Sequence, residues 1–229
     1  MTGDAGCFLP PGRGDLVLHE GKTFHQYTDI RDTAPRYSVA SGSIRPAIAE
    51  AARHYRLAFR DIAQATNERT MIACIAPPGT VFGHTATVEK TPGARASADA
   101  LVLCAVFNSF AFDWLVRQKA ATHLSLYILD ALPMPRLSGE QARFLARAAL
   151  RLSCTHAAFG PLWRELTGGE RHAPDSPLRL RAEIDAVVAA AYGLDRAAYR
   201  HVLAGFSHRS RADAPALCLD AFDALPPLA

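Results

Sequence analysis

Apolar and polar positions alternate in "LVLHEGKTFHQY" (16–27) closely enough to predict a short strand there. From Ile44 to Tyr55 the period lengthens: Ile44, Ile48, Ala51, Ala52 and Tyr55 fall on one helical face. "YRLAFRDIA" then reads as a strand, "QATNE" as a turn and "RTMIACIA" as a second strand closed by "PPG", which together make an antiparallel pair. "TVFGHTATVE" is a further strand candidate. Ser97 is placed to cap the next helix, with Asp99 suited to its dipole, and Asn108-Ser109 is placed to break or recap that helix before "FAFDWLVRQK". "LSLYIL" reads as the following strand and stops at "LPMPR".

Beyond those prolines the period is helical. Ser138-Gly139-Glu140-Gln141 has the S-x-x-Q form of a capping box and opens a helix through at least Leu152. Gly160-Pro161 interrupts the pattern. Ser176-Pro177 caps a helix to Tyr192, with Gly193 at its end, and Asp195 caps a short helix bearing Tyr199, Val202 and Leu203. Tyr192 and Tyr199 are expected in the core. The pattern predicts an α+β region over 16–135 and an all-helical region over 136–206, with poorly organised ends at 1–15 and 207–229. No internal repeat is visible.

The 229 residues are enough for a sizeable core, and 49% apolar content is that of a folded chain. No apolar run reaches the roughly 20 residues of a membrane span, and the N-terminus lacks the form of a signal peptide, so the expected compartment is the cytoplasm with no membrane partner. Cys7, Cys74, Cys104, Cys154 and Cys218 never stand in C-x-x-C spacing, which points to buried free thiols rather than a disulfide framework or a zinc site. Net charge is only +3, but seven arginines stand against four acids between Arg31 and Arg69. With three lysines in the whole chain, compositional bias toward arginine accounts for part of that excess.

Catalytic signatures are absent from the sequence. It contains no G-x-G-x-x-G, no G-x-x-x-x-G-K-[ST], no G-x-S-x-G and no H-E-x-x-H. Methyl transfer to a base amino group calls for an [NDS]-P-P-[YFW] loop around the extruded base, and "LPPG", "APPG" and "LPPL" do not fit it. Pro174-Asp175 is followed by "RAEID" without the lysine of a metal-dependent nuclease, so those acids read as a helix surface.

Taken in order, "EGKTFHQYTDI", "LAFRDIAQATNERTMIACIAPPG", "FNSFAFDWLVRQKAATHLSLYILDALPMP" and "LRLRAEIDAVVAAAYGLDRAAYRHVLAGF" resemble the C-terminal part of large adenine-specific DNA methyltransferases of type IIG restriction-modification and related phage-defence systems. The resemblance covers about residues 16–206. It implies a target-recognition domain whose partner is double-stranded DNA. The methyltransferase domain, with its S-adenosylmethionine, lies before this region in that family and is not in this sequence, so no cofactor is expected here. A truncated gene, a fragment and a split specificity subunit all fit.

Within that reading, Arg117, Lys119 and His123 stand beside DNA phosphates, or else form a solvated helix end that suits the dipole. Arg60, Asn67 and Arg69 flank the turn between the paired strands. They reach a groove or the DNA backbone, or else Arg60 and Arg69 pair with Asp61 or Glu68 and Asn67 merely suits its turn. Lys22, His25 and Gln26 contact DNA or the catalytic domain. The helix "RLRAEIDAVVAAAYGL" is expected to pack. A protein-assembly subunit is the alternative reading, and an unaided enzyme is disfavoured by the missing motifs.

Overall fold

The computed structural model describes residues 5–62, 64, 66–120, 122–169 and 172–226. Ala63 and Ala65, which belong to the expected strand and turn, lie outside them, as do residues 1–4 and 227–229 at the ends. The strands are β1 (Phe8–Leu9), β2 (Leu16–His19), β3 (Tyr37–Val39), β4 (Arg56–Arg60), β5 (Ala73–Ala76), β6 (Thr80–Phe82) and β7 (Ala86–Val88). The helices are α1 (Pro46–Ala51), α2 (Ser97–Phe107), α3 (Phe110–Arg117), α4 (Leu126–Asp130), α5 (Gly139–Ser153), α6 (Gly160–Thr167), α7 (Pro177–Ala191), α8 (Arg196–Ala204) and α9 (Ala214–Asp223). The fold is α+β.

Two small sheets carry the first part of the chain. One has the order β1-β3-β2-β6, antiparallel except for the parallel β2–β6 pair, and the other has the order β5-β4-β7, wholly antiparallel. The β4–β5 hairpin forms as the two apolar runs require, with Leu57 opposite Ile75 and Phe59 opposite Ala73. "TVFGHTATVE" is not one strand: β6 and β7 are separated by Gly83–Thr85 and belong to different sheets. Gly21 packs against this switch so closely that a Cβ would stand 2.7 Å from the Thr85 carbonyl oxygen. The Gly21 amide also donates to the Thr85 hydroxyl at 2.9 Å.

Strand β4 is buried on both faces, which explains its nearly continuous apolar run. Leu57 and Phe59 face the helices, in one large core with α2, α3, α5, α7, α8 and Cys218 of α9. On the other face Ala58 packs with Phe24, Ile72, Cys74 and Ala86. Helix α2 is apolar on nearly every side because it is surrounded by this core, and it packs on α5. No single helix among the described residues is long and apolar enough to cross a membrane.

Side-chain caps mark four of the nine helix starts among the described residues. Ser138 and Gln141 form both halves of the capping box, Ser176 accepts from the Arg179 amide, and Asp195 accepts from the Ala198 amide. The α2–α3 break bends the chain by 65°, and Ser109 recaps α3 by accepting from the Phe112 amide. Ser97 makes no cap bond and is instead the first residue of α2.

Other expectations are corrected. "LSLYIL" is not a strand: a single bridge, Ile62 to His123, precedes helix α4. Both neighbours of the central strand β4 are already taken by β5 and β7, and a six-residue apolar run does not distinguish the two periods. Gly160-Pro161 opens α6, with proline in the first turn where its missing N–H costs nothing, rather than ending a helix. The tail after Phe206 is organised, since α9 packs on α7 and α8. Tyr199 is fully buried, whereas Tyr192 is only partly so.

Candidate functional site

The two motifs of the turn and the helix break interlock. Asp113, in the first turn of α3, accepts from the backbone amides of Thr70 (3.1 Å) and Met71 (3.0 Å) and from Arg69 Nε (2.8 Å). The Asn108 side chain pairs both ways with Ala73, accepting from its amide at 3.0 Å and donating to its carbonyl at 2.9 Å, as a neighbouring strand would. The Asn108 carbonyl accepts from Arg69 and from Gln26 Nε2. The Arg69 guanidinium also lies 4.0 Å from the Phe110 ring centroid. Burial pulls the Arg69 pKa down, but Asp113 and Asp185 outweigh it and hold the group charged.

Arg117 is not a free cation at a helix end. It donates to the carbonyls of Asn67 (2.6 Å), Glu68 (2.9 Å) and Gly205 (3.2 Å), and its guanidinium covers the Phe206 ring at 3.9 Å. Those bonds tie the turn, α3 and the end of α8 together, so Arg117 acts as a clasp. Lys119 is exposed, and exposed His123 stands 3.0 Å from Asp61. Lys22 is exposed beside Glu20 at 3.8 Å.

His25, Gln26, Arg60, Asn67 and Arg69 converge on one cavity of about 680 Å³. It lies among the segment after β2, the end of β4, the start of α3, helix α7 and the chain after α8. Its wall also carries Arg31, Arg181 and Arg211, together with Tyr27 and Asp185, none of which the sequence pattern marks as a site residue. Five arginines therefore face three acids, Asp32, Glu68 and Asp185. Asp185 is buried rather than part of a helix surface, and it accepts from the Phe110 amide at 2.7 Å. The missed signal was the i, i+4 spacing of Arg181 and Asp185, which sets both on one side of α7.

The field in this cavity is visible in its titratable groups. Burial, then Arg60, Arg31, Arg181 and Arg69, push the His25 imidazole down to about 4, so it is neutral at pH 7. Burial pushes the Asp185 carboxyl up to about 6, with Arg69 opposing. Burial, then Arg31, lower Arg60 to about 10, and burial also lowers Arg181. Tyr27, on the same wall, has φ of 65°, a left-handed conformation unusual for a bulky residue. Its amide donates to the Ala73 carbonyl at 2.9 Å, which helps hold it there.

Among the described residues, no group of three or more histidine, cysteine, aspartate or glutamate side chains is placed to hold a metal ion. Cys74 and Cys104 are fully buried, and burial raises both thiols far from the reactive range. The cavity wall itself carries Ser207, Ser210 and the buried Cys218, whose thiol burial pushes up to about 12. No family model matches the chain, and no curated protein matches it.

Proposed function

We propose that the protein is a DNA-binding recognition module that positions a methyltransferase catalytic domain supplied elsewhere, as the sequence resemblance implies. The observation that supports it is the convergence of Arg31, Arg60, Arg69, Arg181 and Arg211 with His25, Gln26 and Asn67 on one concave site. Arginines and the exposed Asn67 amide are donors that phosphate and base edges accept. In this reading Arg69 and Arg117 shape the site, while Lys119 and His123 remain available to phosphates. S-adenosylmethionine belongs to the catalytic domain.

Fluorescence anisotropy with a mixed-sequence duplex across a salt series tests the reading. Log K is expected to fall linearly with log salt, by roughly 0.9 per phosphate neutralised. Lys119→Ala should flatten that slope by up to about 0.9 without changing the melting temperature. Absence of binding at low salt would remove the proposal.

A second reading, a protein-assembly subunit, has its own support. An apolar groove of about 560 Å³ is lined by Phe59, Leu103, Phe107, Leu126, Leu129 and Met134. Beside it in the chain, Tyr127 is 84% exposed. Its occupant in that reading is the catalytic domain, and Leu126→Asp would then abolish co-purification with that domain, while the wild-type chain shows no affinity for duplex DNA.

A further inference from the structure

Two of the cavity arginines, both partly buried, lack a carboxylate partner among the described residues. Arg69 is paired with Asp113 at 2.8 Å, and Arg211 lies 3.6 Å from Asp213. Arg60 and Arg181 form no ion pair with a carboxylate among the described residues. Asp185, one turn along α7 from Arg181, is bonded to the Phe110 amide instead.

Arg60 donates to the Phe24 carbonyl and Arg181 to the Gln26 carbonyl (3.4 Å), the residues on either side of His25. In both, Nε is sealed from water and has no acceptor. Both guanidiniums are partly buried, Arg60 5.7 Å from the Phe24 ring centroid and Arg181 5.4 Å from that of Tyr27, and a guanidinium fork matches the oxygens of a phosphate. The left-handed Tyr27 and neutral His25 line the same wall, and backbone strain of this kind is maintained where a site needs its geometry.

We propose that the cavity is a phosphate site, in which Arg60 and Arg181 hold the phosphate oxygens of a nucleotide and His25 adds an imidazole hydrogen bond. At about 680 Å³ the cavity falls in the range that takes small ligands, leaving room for a sugar and base. The phosphate comes either from a DNA strand or from a free nucleotide. The inference shares its cavity with the duplex-binding reading but does not depend on it.

The full chain would be titrated with inorganic phosphate, deoxyadenosine monophosphate and a mixed-sequence duplex, against chloride at matched ionic strength. Readouts are the His25 imidazole resonance and the melting temperature. Phosphate and the mononucleotide should raise the melting temperature and move the His25 pKa upward, because a bound anion favours the imidazolium; chloride should do neither. Arg181→Gln should weaken phosphate affinity at least about tenfold, about 1.4 kcal/mol, with an unchanged circular dichroism spectrum.

Tighter binding of the mononucleotide than of phosphate assigns the site to a free nucleotide. A His25 response to duplex with little response to mononucleotide assigns it to a strand. If Arg181→Gln does not fold, the His25 titration of the wild type decides alone. Duplex binding without a His25 response overturns the phosphate site and leaves the duplex reading standing, while a phosphate response without duplex binding does the reverse. No response to any of the three ligands overturns it outright.

Discussion

His25 and Asp185 border the same cavity and bias stability in opposite directions as pH changes. The folded-state pKa of His25 is depressed to about 4, so its contribution is present above the unfolded value near 6.5 and is lost as pH falls through 4. The pKa of Asp185 is raised to about 6, so its contribution is complete below the unfolded value near 3.9 and is lost as pH rises through 6. Each amounts to roughly 1–3 kcal/mol after allowance for solvent screening, and over the shared window they largely cancel. Urea denaturation between pH 4 and 6.5 checks this. Relative to wild type, His25→Gln should gain stability toward acid pH and Asp185→Asn should lose it; parallel profiles would contradict the assignment. His25 is singled out in the sequence only by its place in "EGKTFHQYTDI", one of the segments that carry the resemblance. For Asp185 the sequence offers only its i, i+4 spacing from Arg181, because its hydrogen-bond partner Phe110 is distant in sequence.

At the scale of elements, the junction of the β4–β5 turn with α3 rests on Asp113. Asp113→Ala strands the buried Arg69 guanidinium and two backbone amides, and should cost about 3–5 kcal/mol by chemical denaturation. His123→Ala, which removes only the exposed pair with Asp61, should cost less than about 1 kcal/mol. Comparable losses for the two would mean that the turn and helix are not coupled as described. The sequence showed these elements wherever their signals are local. Ser138, Ser176 and Asp195 satisfy amides within three residues of themselves, so their caps need no tertiary knowledge. The failures required knowledge of neighbours. "LSLYIL" becomes a helix because the adjacent sheet has both positions beside its central strand filled, and α9 has a pattern too short to be recognised apart from the groove that receives it. Arg117 looked like a surface cation because its three carbonyl acceptors come from residues 67, 68 and 205.

Over the whole molecule, one core joins the β4–β5 hairpin to helices on both sides of residue 135, with Leu145, Ala148 and Ala149 of α5 packed in it beside Leu101 and Ala105 of α2. A chain ending at Pro135 should therefore show no cooperative unfolding transition, as followed by calorimetry. A sharp transition would mean that the first part is autonomous. Calorimetry with S-adenosylmethionine and the full chain should detect no binding, because the sequence has neither a glycine-rich cofactor loop nor an N-P-P-Y loop. The sheet switch at Gly83–Thr85 bears on the order in which the chain assembles. Pairing β2 with β6 closes a loop of about 60 residues, and that entropy is lost before any contact compensates for it. The β4–β5 hairpin is nested inside this loop and closes a much shorter one. In pulsed hydrogen exchange during refolding, the amide of Arg60, bonded to the Ile72 carbonyl, should gain protection before that of Val17, bonded to the Gly79 carbonyl. Gly21→Ala, which sets a methyl group against the Thr85 carbonyl, should slow only the later phase, leaving an intermediate in which one sheet is formed and the other still exchanges with solvent.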